Sequence, residues 1–410
     1  MNTKAGQDAK ITGRHGLFIA ASFASFFLFA VPHTIHGSNA PVMMEYYGIT
    51  AAQQGFVVTM QSVGGIAAAL FVSLRGERYN KINVIALGVI IICLSCAAVG
   101  LVPAYRMLVL IVVVLGIGNS FVDVMMNGVI ADVYPGKKNT LLPITHGFFV
   151  LGAMFSPMFV GFTVDPDAPV SFAYPFRIIC IGAVAIFLLY FLSSRRIMAE
   201  TPYVKMDAMK RRATENPAEV FKTKKAWIFL AAAIMYITFQ YGTNMWLPTY
   251  AIRNVGADFQ TGALMVTAFF APALAMRFLT PFLLRRIPPR TFYSVFGWIA
   301  AALMLAALSV KSIPILFILI VAVGFVQGSI IVVLILMCTE AFPDRTASAS
   351  SIVSLASGIA TLTAPFWMGS LSDHTGFLIP MIMITCCLAA SSLVIFLGAG
   401  PAGEPGSVKS

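Results

Sequence analysis

Apolar residues along this chain come in long blocks separated by short polar breaks. Twelve blocks are long enough to cross a bilayer, at about 16–39, 51–74, 83–103, 107–131, 141–163, 175–194, 226–250, 260–284, 291–310, 313–338, 347–370 and 376–399. A helix of roughly 20 residues spans the hydrocarbon layer. Backbone in lipid must satisfy its own hydrogen bonds, so the blocks predict helices rather than open strands. One break differs from the others: residues 195–225 are polar, basic and long, and they leave six spans on either side. The expected organisation is a tail over 1–15, a six-helix bundle over 16–194, a basic linker over 195–225, a second six-helix bundle over 226–399 and a tail over 400–410.

Composition supports an all-α membrane protein. Of the 410 residues, 59% are hydrophobic and 10% are charged, against about 25% charged in soluble domains. The net charge of +11 would suit a nucleic-acid partner, but its placement excludes one. The basic residues gather in the N-terminal tail (Lys4, Lys10, Arg14), the 2–3 loop (Arg75, Arg78, Lys81), the 4–5 loop (Lys137, Lys138), the linker and later loops of the same side. Only Arg106, Arg177, Arg253 and Lys311 fall on the opposite side, and Arg277 lies inside a span. The positive-inside rule then puts both termini in the cytoplasm, in a multi-pass protein of the inner membrane. The first apolar block is too long for a signal-peptide core and reads as a retained span. The six cysteines all fall in apolar blocks, where they read as small hydrophobes, with no metal or disulfide framework implied.

The two halves repeat. Asp132-Val133-Tyr134-Pro135 closes span 4, and Glu340-Ala341-Phe342-Pro343 closes span 10, 208 residues later. Pro157 and Pro365 keep that offset, as do Gly161 and Gly369. In spans 1 and 7, His36–Asn39 (HGSN) and Tyr241–Asn244 (YGTN) are 205 apart, with Gln54 and Gln260 following. Such self-similarity marks transporter folds built from parallel repeats.

The two sets of six spans, the basic central segment and Glu77-Arg78-Tyr79-Asn80-Lys81 in the 2–3 loop together resemble the major facilitator superfamily. "VDVMMN" (122–127), "HGFFVLGAMFSP" (146–157) and "YITFQYGTNMWLPTY" (236–250) resemble the fucose–proton symporter family within it. The resemblance implies two pseudo-symmetric bundles, alternating access, and symport of a small polar, sugar-like solute with protons. That family usually carries Glu where Gln240 stands and often Asp near Gly37. In the superfamily, spans 5 and 8 meet between the halves, which makes His146 and Arg277 expected gates. The loop pair Glu77 and Arg78 joins that set.

The repeat also tests which polar residues the architecture demands. Adding 208 takes Asn119 to Gln327, Asp123 to Ile331 and Asn127 to Ile335. The framework accepts aliphatic residues at two of these positions, so Asp123 and Asn127 are not there for the fold. Asn119, Asp123 and Asn127 share one helical face. An unpaired carboxylate at the midplane is costly when ionised, so Asp123 is expected to carry the coupled proton. Tyr236, Gln240 and Asn244 form a matching stripe on span 7, with Trp246 beyond. Amides bond hydroxyls in both directions and aromatic faces pack on sugar rings, so these read as substrate ligands, as do Asn119 and Asn127. His36 and Asn39 join them on span 1, which the sequence predicts to be interrupted at Pro32 and Gly37. The HxxH of His33 and His36 lacks a third metal ligand.

Arg277 cannot deprotonate and needs a carboxylate, carbonyls or an anionic solute. The 205 offset sets it opposite Val72, so it too has no polar counterpart. Asp132 and Glu340, ending spans 4 and 10 near basic loops, are the remaining expected gating charges. There is no GxxxxGK[ST] loop for ATP and no HExxH or Ser/Lys pair for an embedded enzyme. The expected protein is a cofactor-free, monomeric secondary transporter rather than an enzyme, its partners a small solute, protons and the bilayer. The alternatives within that class are proton-coupled export of amphipathic compounds and transport of an organic anion by Arg277.

Overall fold

The structure, a computed structural model, describes residues 13–75, 79–101, 103–134, 137–200, 217–342 and 346–398. Among them are twelve helical stretches long and apolar enough to cross a membrane. Spans 1 to 6 are His15–Tyr47, Ala51–Val72, Lys81–Ala98, Tyr105–Ile130, Thr140–Thr163 and Pro169–Tyr190. Spans 7 to 12 are Lys224–Val255, Phe259–Leu283, Pro289–Ser309, Ile313–Ala341, Ile352–Thr375 and Leu378–Gly398. Ile181 and Phe278 are each 72% exposed. They are two of many exposed large apolar side chains among the described residues, a surface suited to lipid rather than water.

The chain divides into two compact units, Met1–Ala208 and Met209–Ser410. In the first, span 4 packs on spans 2 and 3, span 1 on spans 5 and 6, and span 3 on span 6. In the second, span 10 packs on spans 8 and 9, span 7 on spans 11 and 12, and span 9 on span 12. Raising each number in the first list by six gives the second.

Lipid removes the hydrophobic drive between helices, so close backbone approach at small residues holds such bundles together. A Cβ on Gly116 would collide with the Gln61 carbonyl, and a Cβ on Gly324 with the Phe269 carbonyl. Both glycines and both carbonyls are 208 apart, so that offset extends to spans 2 and 8. The counterpart of Arg277 is therefore Ala69 rather than Val72, still apolar.

Two spans depart from expectation. Span 1 is not interrupted: its helix runs from Gly13 to Tyr47 with Pro32 and Pro41 inside. Neighbouring side chains support this stretch, as transmembrane prolines require. Gln61 Nε2 donates to the Pro32 carbonyl at 3.3 Å, and Ser156 Oγ to the Val31 carbonyl at 3.1 Å. Span 10, predicted as one helix, breaks into Ile313–Gln327 and Ile330–Ala341. Gly328 sits in the break because a Cβ there would strike the Ala273 backbone of span 8. The described residues of the expected linker are mostly helical. The span 6 helix continues to Glu200, and Pro217–Lys222 forms a 3₁₀ turn before span 7.

Candidate substrate and proton site

Among the described residues, the expected site residues gather in one polar cluster in each unit. In the first unit the cluster is built on spans 4 and 5. Asn127 Nδ2 lies 2.9 Å from the Asp123 carbonyl and 3.4 Å from Asp123 Oδ1, which fixes the orientation of the amide. Asn127 Oδ1 then faces His146 Nε2 at 3.2 Å. That oxygen only accepts, so Nε2 carries the proton. The result is a relay of hydrogen bonds from the imidazole through the amide to the carboxylate. Asp123 and Asn127 are half-buried and His146 is exposed. One turn away, Asn119 is 5% exposed, and neither polar atom of its side chain has a partner among the described residues. Buried amides are normally satisfied, so Asn119 departs from the rule.

The second cluster joins spans 7, 8 and 10. Tyr236 is wholly buried and its hydroxyl donates to Gln327 Oε1 at 2.7 Å. Gln240 Nε2 donates to the same hydroxyl at 3.3 Å. Arg277 Nε donates to the Gly328 carbonyl at 3.2 Å. The break in span 10 frees that carbonyl from the helical ladder, a device transporters use at binding sites. Gln327 is fully buried and its Nε2 has no partner among the described residues. Gln327 is the repeat partner of Asn119, so the two units place an unsatisfied amide at equivalent positions.

The structure thus brings together Asp123, Asn127 and His146, and separately Tyr236, Gln240 and Arg277. Other expected residues stand elsewhere. Trp246 is fully buried against Phe377, with ring centroids 5.3 Å apart, and its Nε1 has no described partner. Asn39 donates to the Phe172 carbonyl at 2.8 Å and is fully buried, so it ties span 1 to the turn opening span 6. His36 is 1% exposed and packs against Phe176. Asn244 is 6% exposed and outside the Tyr236 cluster; its Oδ1 has no described partner. Glu340 is exposed at the end of span 10, and Asp132 lies in the last turn of the span 4 helix. Glu77 and Arg78 lie outside the described residues. Gln327 and the Gly328 break escaped the sequence reading, although the 208 offset from Asn119 pointed at the first.

A model of the Major Facilitator Superfamily matches residues 18–295 and 251–410. The chain belongs to this superfamily. Among its relatives is the uncharacterized MFS-type transporter YfkL of Bacillus subtilis (strain 168). That protein is 19% identical over 376 residues, 90% of this chain and 91% of its own length. Among solved structures, a bacterial homolog of the human lysosomal transporter Spinster, inward-facing and unoccupied, superposes with a TM-score of 0.82. It is 17% identical, and the match covers 95% of this chain and 97% of that one. A D-xylose–proton symporter gives a TM-score of 0.71 at 14% identity, covering 93% and 97%. At these identities the structural likeness establishes the family's fold of twelve helices and no more.

Proposed function

We propose that the chain is a secondary transporter that works by alternating access and couples a small polar solute to protons. The observation carrying this reading is the Asp123–Asn127–His146 relay. It places the intramembrane carboxylate on a neutral amide instead of a cation, and leads from it to an exposed imidazole. An intramembrane carboxylate favours its protonated form when water is withdrawn and its charged form when water returns. That difference lets a change of access drive loading and release. Within the second unit, Gln240, Gln327 and Tyr236 supply amides and a hydroxyl for a hydroxyl-rich solute, as the resemblance to fucose–proton symporters suggests. The test uses a solute found by a thermal-shift screen. In proteoliposomes, Asp123→Asn should abolish accumulation driven by a pH gradient while exchange of labelled solute persists. Undiminished accumulation by the mutant would overturn the assignment.

One feature favours a second reading, export of amphipathic compounds. An apolar crevice of about 490 Å³ lies between spans 1, 5 and 6, lined by Phe23, Phe27, Phe148, Phe159 and Ile178 among others. Stabilisation by lipophilic cations, lost when Gly182 in its wall becomes Leu, would support this reading over the first.

A further inference from the structure

Arg277 presents an electrostatic problem that the described residues leave unsolved. It lies in span 8, six residues before Leu283, which is about 9 Å of helix. An arginine so near a span end ordinarily carries its guanidinium out to the surface. Here the side chain turns the other way. Its Nε bonds the Gly328 carbonyl, which stands about 20 Å from the Ala341 end of span 10. The alternation of the spans puts Leu283 and Ala341 on the same side of the membrane, so the guanidinium is held deeper than its own backbone. No carboxylate among the described residues pairs with it, and Tyr236 is the group its charge acts on. Arg277 is half-buried; a cation partly withdrawn from water without a countercharge is costly, and an anion from outside the chain relieves it.

The donors left over define that anion. With Nε engaged, the two terminal nitrogens of Arg277 keep four N–H groups in a planar fork that matches a carboxylate edge-on. Gln327 Nε2, fully buried and unpartnered, adds a neutral donor beside the same break. Gln240 is half-buried and one bond from Tyr236. A phosphate ester, with close to two charges, would call for a second cation, and Arg277 is the one cation of this cluster among the described residues.

We propose that the cluster binds a small hydroxylated organic acid, with Arg277 taking the carboxylate and Gln240 and Gln327 taking its hydroxyls. The inference rests on the transport reading above and names the class of solute. It accounts for a charge that a neutral sugar leaves unpaired. It also keeps the balance simple, since a monocarboxylate entering with one proton moves no net charge.

The experiment is equilibrium binding to the purified full-length protein, by thermal shift and calorimetry. The probes are matched pairs differing in the acid group: gluconate with glucitol, lactate with propane-1,2-diol, 3-hydroxybutyrate with butane-1,3-diol, and glycerol 3-phosphate with glycerol. At least one carboxylate should stabilise the protein saturably while its alcohol does not. Arg277→Gln should weaken that binding about 10- to 100-fold, the loss of charge-assisted hydrogen bonds. Arg277→Lys, which keeps charge without the fork, should fall between, and it decides the matter if Arg277→Gln does not fold. Equal stabilisation by acid and alcohol, binding of the phosphate ester alone, no binding by any acid, or undiminished binding by the variants would overturn the proposal. No proton gradient is present, so this result stands apart from that of the Asp123 test.

Discussion

His146 Nε2 lies 3.2 Å from Asn127 Oδ1, and the same amide reaches back to Asp123 through its nitrogen. If the relay tunes proton loading, His146 and Asn127 act as one device. The expected outcome for Asn127→Leu is slower pH-driven transport, with little further loss when His146→Gln is added. A double-mutant cycle on initial rates in proteoliposomes should give a coupling of about 0.5–3 kcal/mol, the range for groups in one network. Additive effects across pH 5 to 8 would separate His146 from the proton.

Gly324 is predicted to be required where Gly358 is not. A Cβ there meets the Phe269 backbone, while one on Gly358 of span 11 meets nothing within 4 Å. Overpacking costs about 1–3 kcal/mol, and an unneeded helical glycine costs about 0.5–1. Gly324→Ala should therefore lower the thermal unfolding midpoint, and Gly358→Ala should hold or raise it. The reverse order would contradict the span 8–span 10 packing.

The twelve spans, their two sets of six and the pseudo-repeat were legible because lipid imposes length, hydropathy and small-residue contacts on the sequence directly. Asp123, Asn127 and His146 could be selected individually, since charge and amides are conspicuous in apolar helices. Their connection could not, because residues 127 and 146 meet only through the packing of spans 4 and 5. The full burial of Trp246 and Asn39 was hidden for a related reason. Residue type shows what a side chain can bond, and the fold decides whether a solute can reach it. The break at Gly328 was hidden by continuous hydropathy on both sides; the Gly-Ser pair was its one local sign.

Asp258 caps span 8, accepting from Thr261 N at 2.9 Å and Thr261 Oγ1 at 2.6 Å. These bonds, the hydroxyl's foremost, hold its carboxyl below the usual carboxylate range. A depressed folded value contributes stability above the unfolded value near 3.9, lost as pH falls through the folded one. Asp258→Ala should cost about 1 kcal/mol at pH 7, typical of an N-cap. The gap should narrow below about pH 4, where the unfolded-state carboxyl takes up its proton. Thermal unfolding at pH 7 and pH 3 checks this; an unchanged gap would mean that the cap's charge contributes nothing.

Cys93 and Cys180 are free thiols whose sulfurs lie 3.2 Å apart across spans 3 and 6. Sequence patterning treats each as an isolated small hydrophobe, and neither has a cysteine 208 residues on, so the contact is no part of the repeat. A disulfide needs sulfurs at about 2.05 Å, so a closure of about 1 Å would join them. Copper–phenanthroline should oxidise the pair, two electrons passing to the oxidant and two protons to water. The measurement is alkylation after denaturation, read by mass spectrometry. Oxidised wild type should lose both sites and show the 93–180 cross-linked peptide, while Cys93→Ala leaves Cys180 open to alkylation. If both thiols of oxidised wild type still alkylate in full, spans 3 and 6 do not hold these sulfurs in contact.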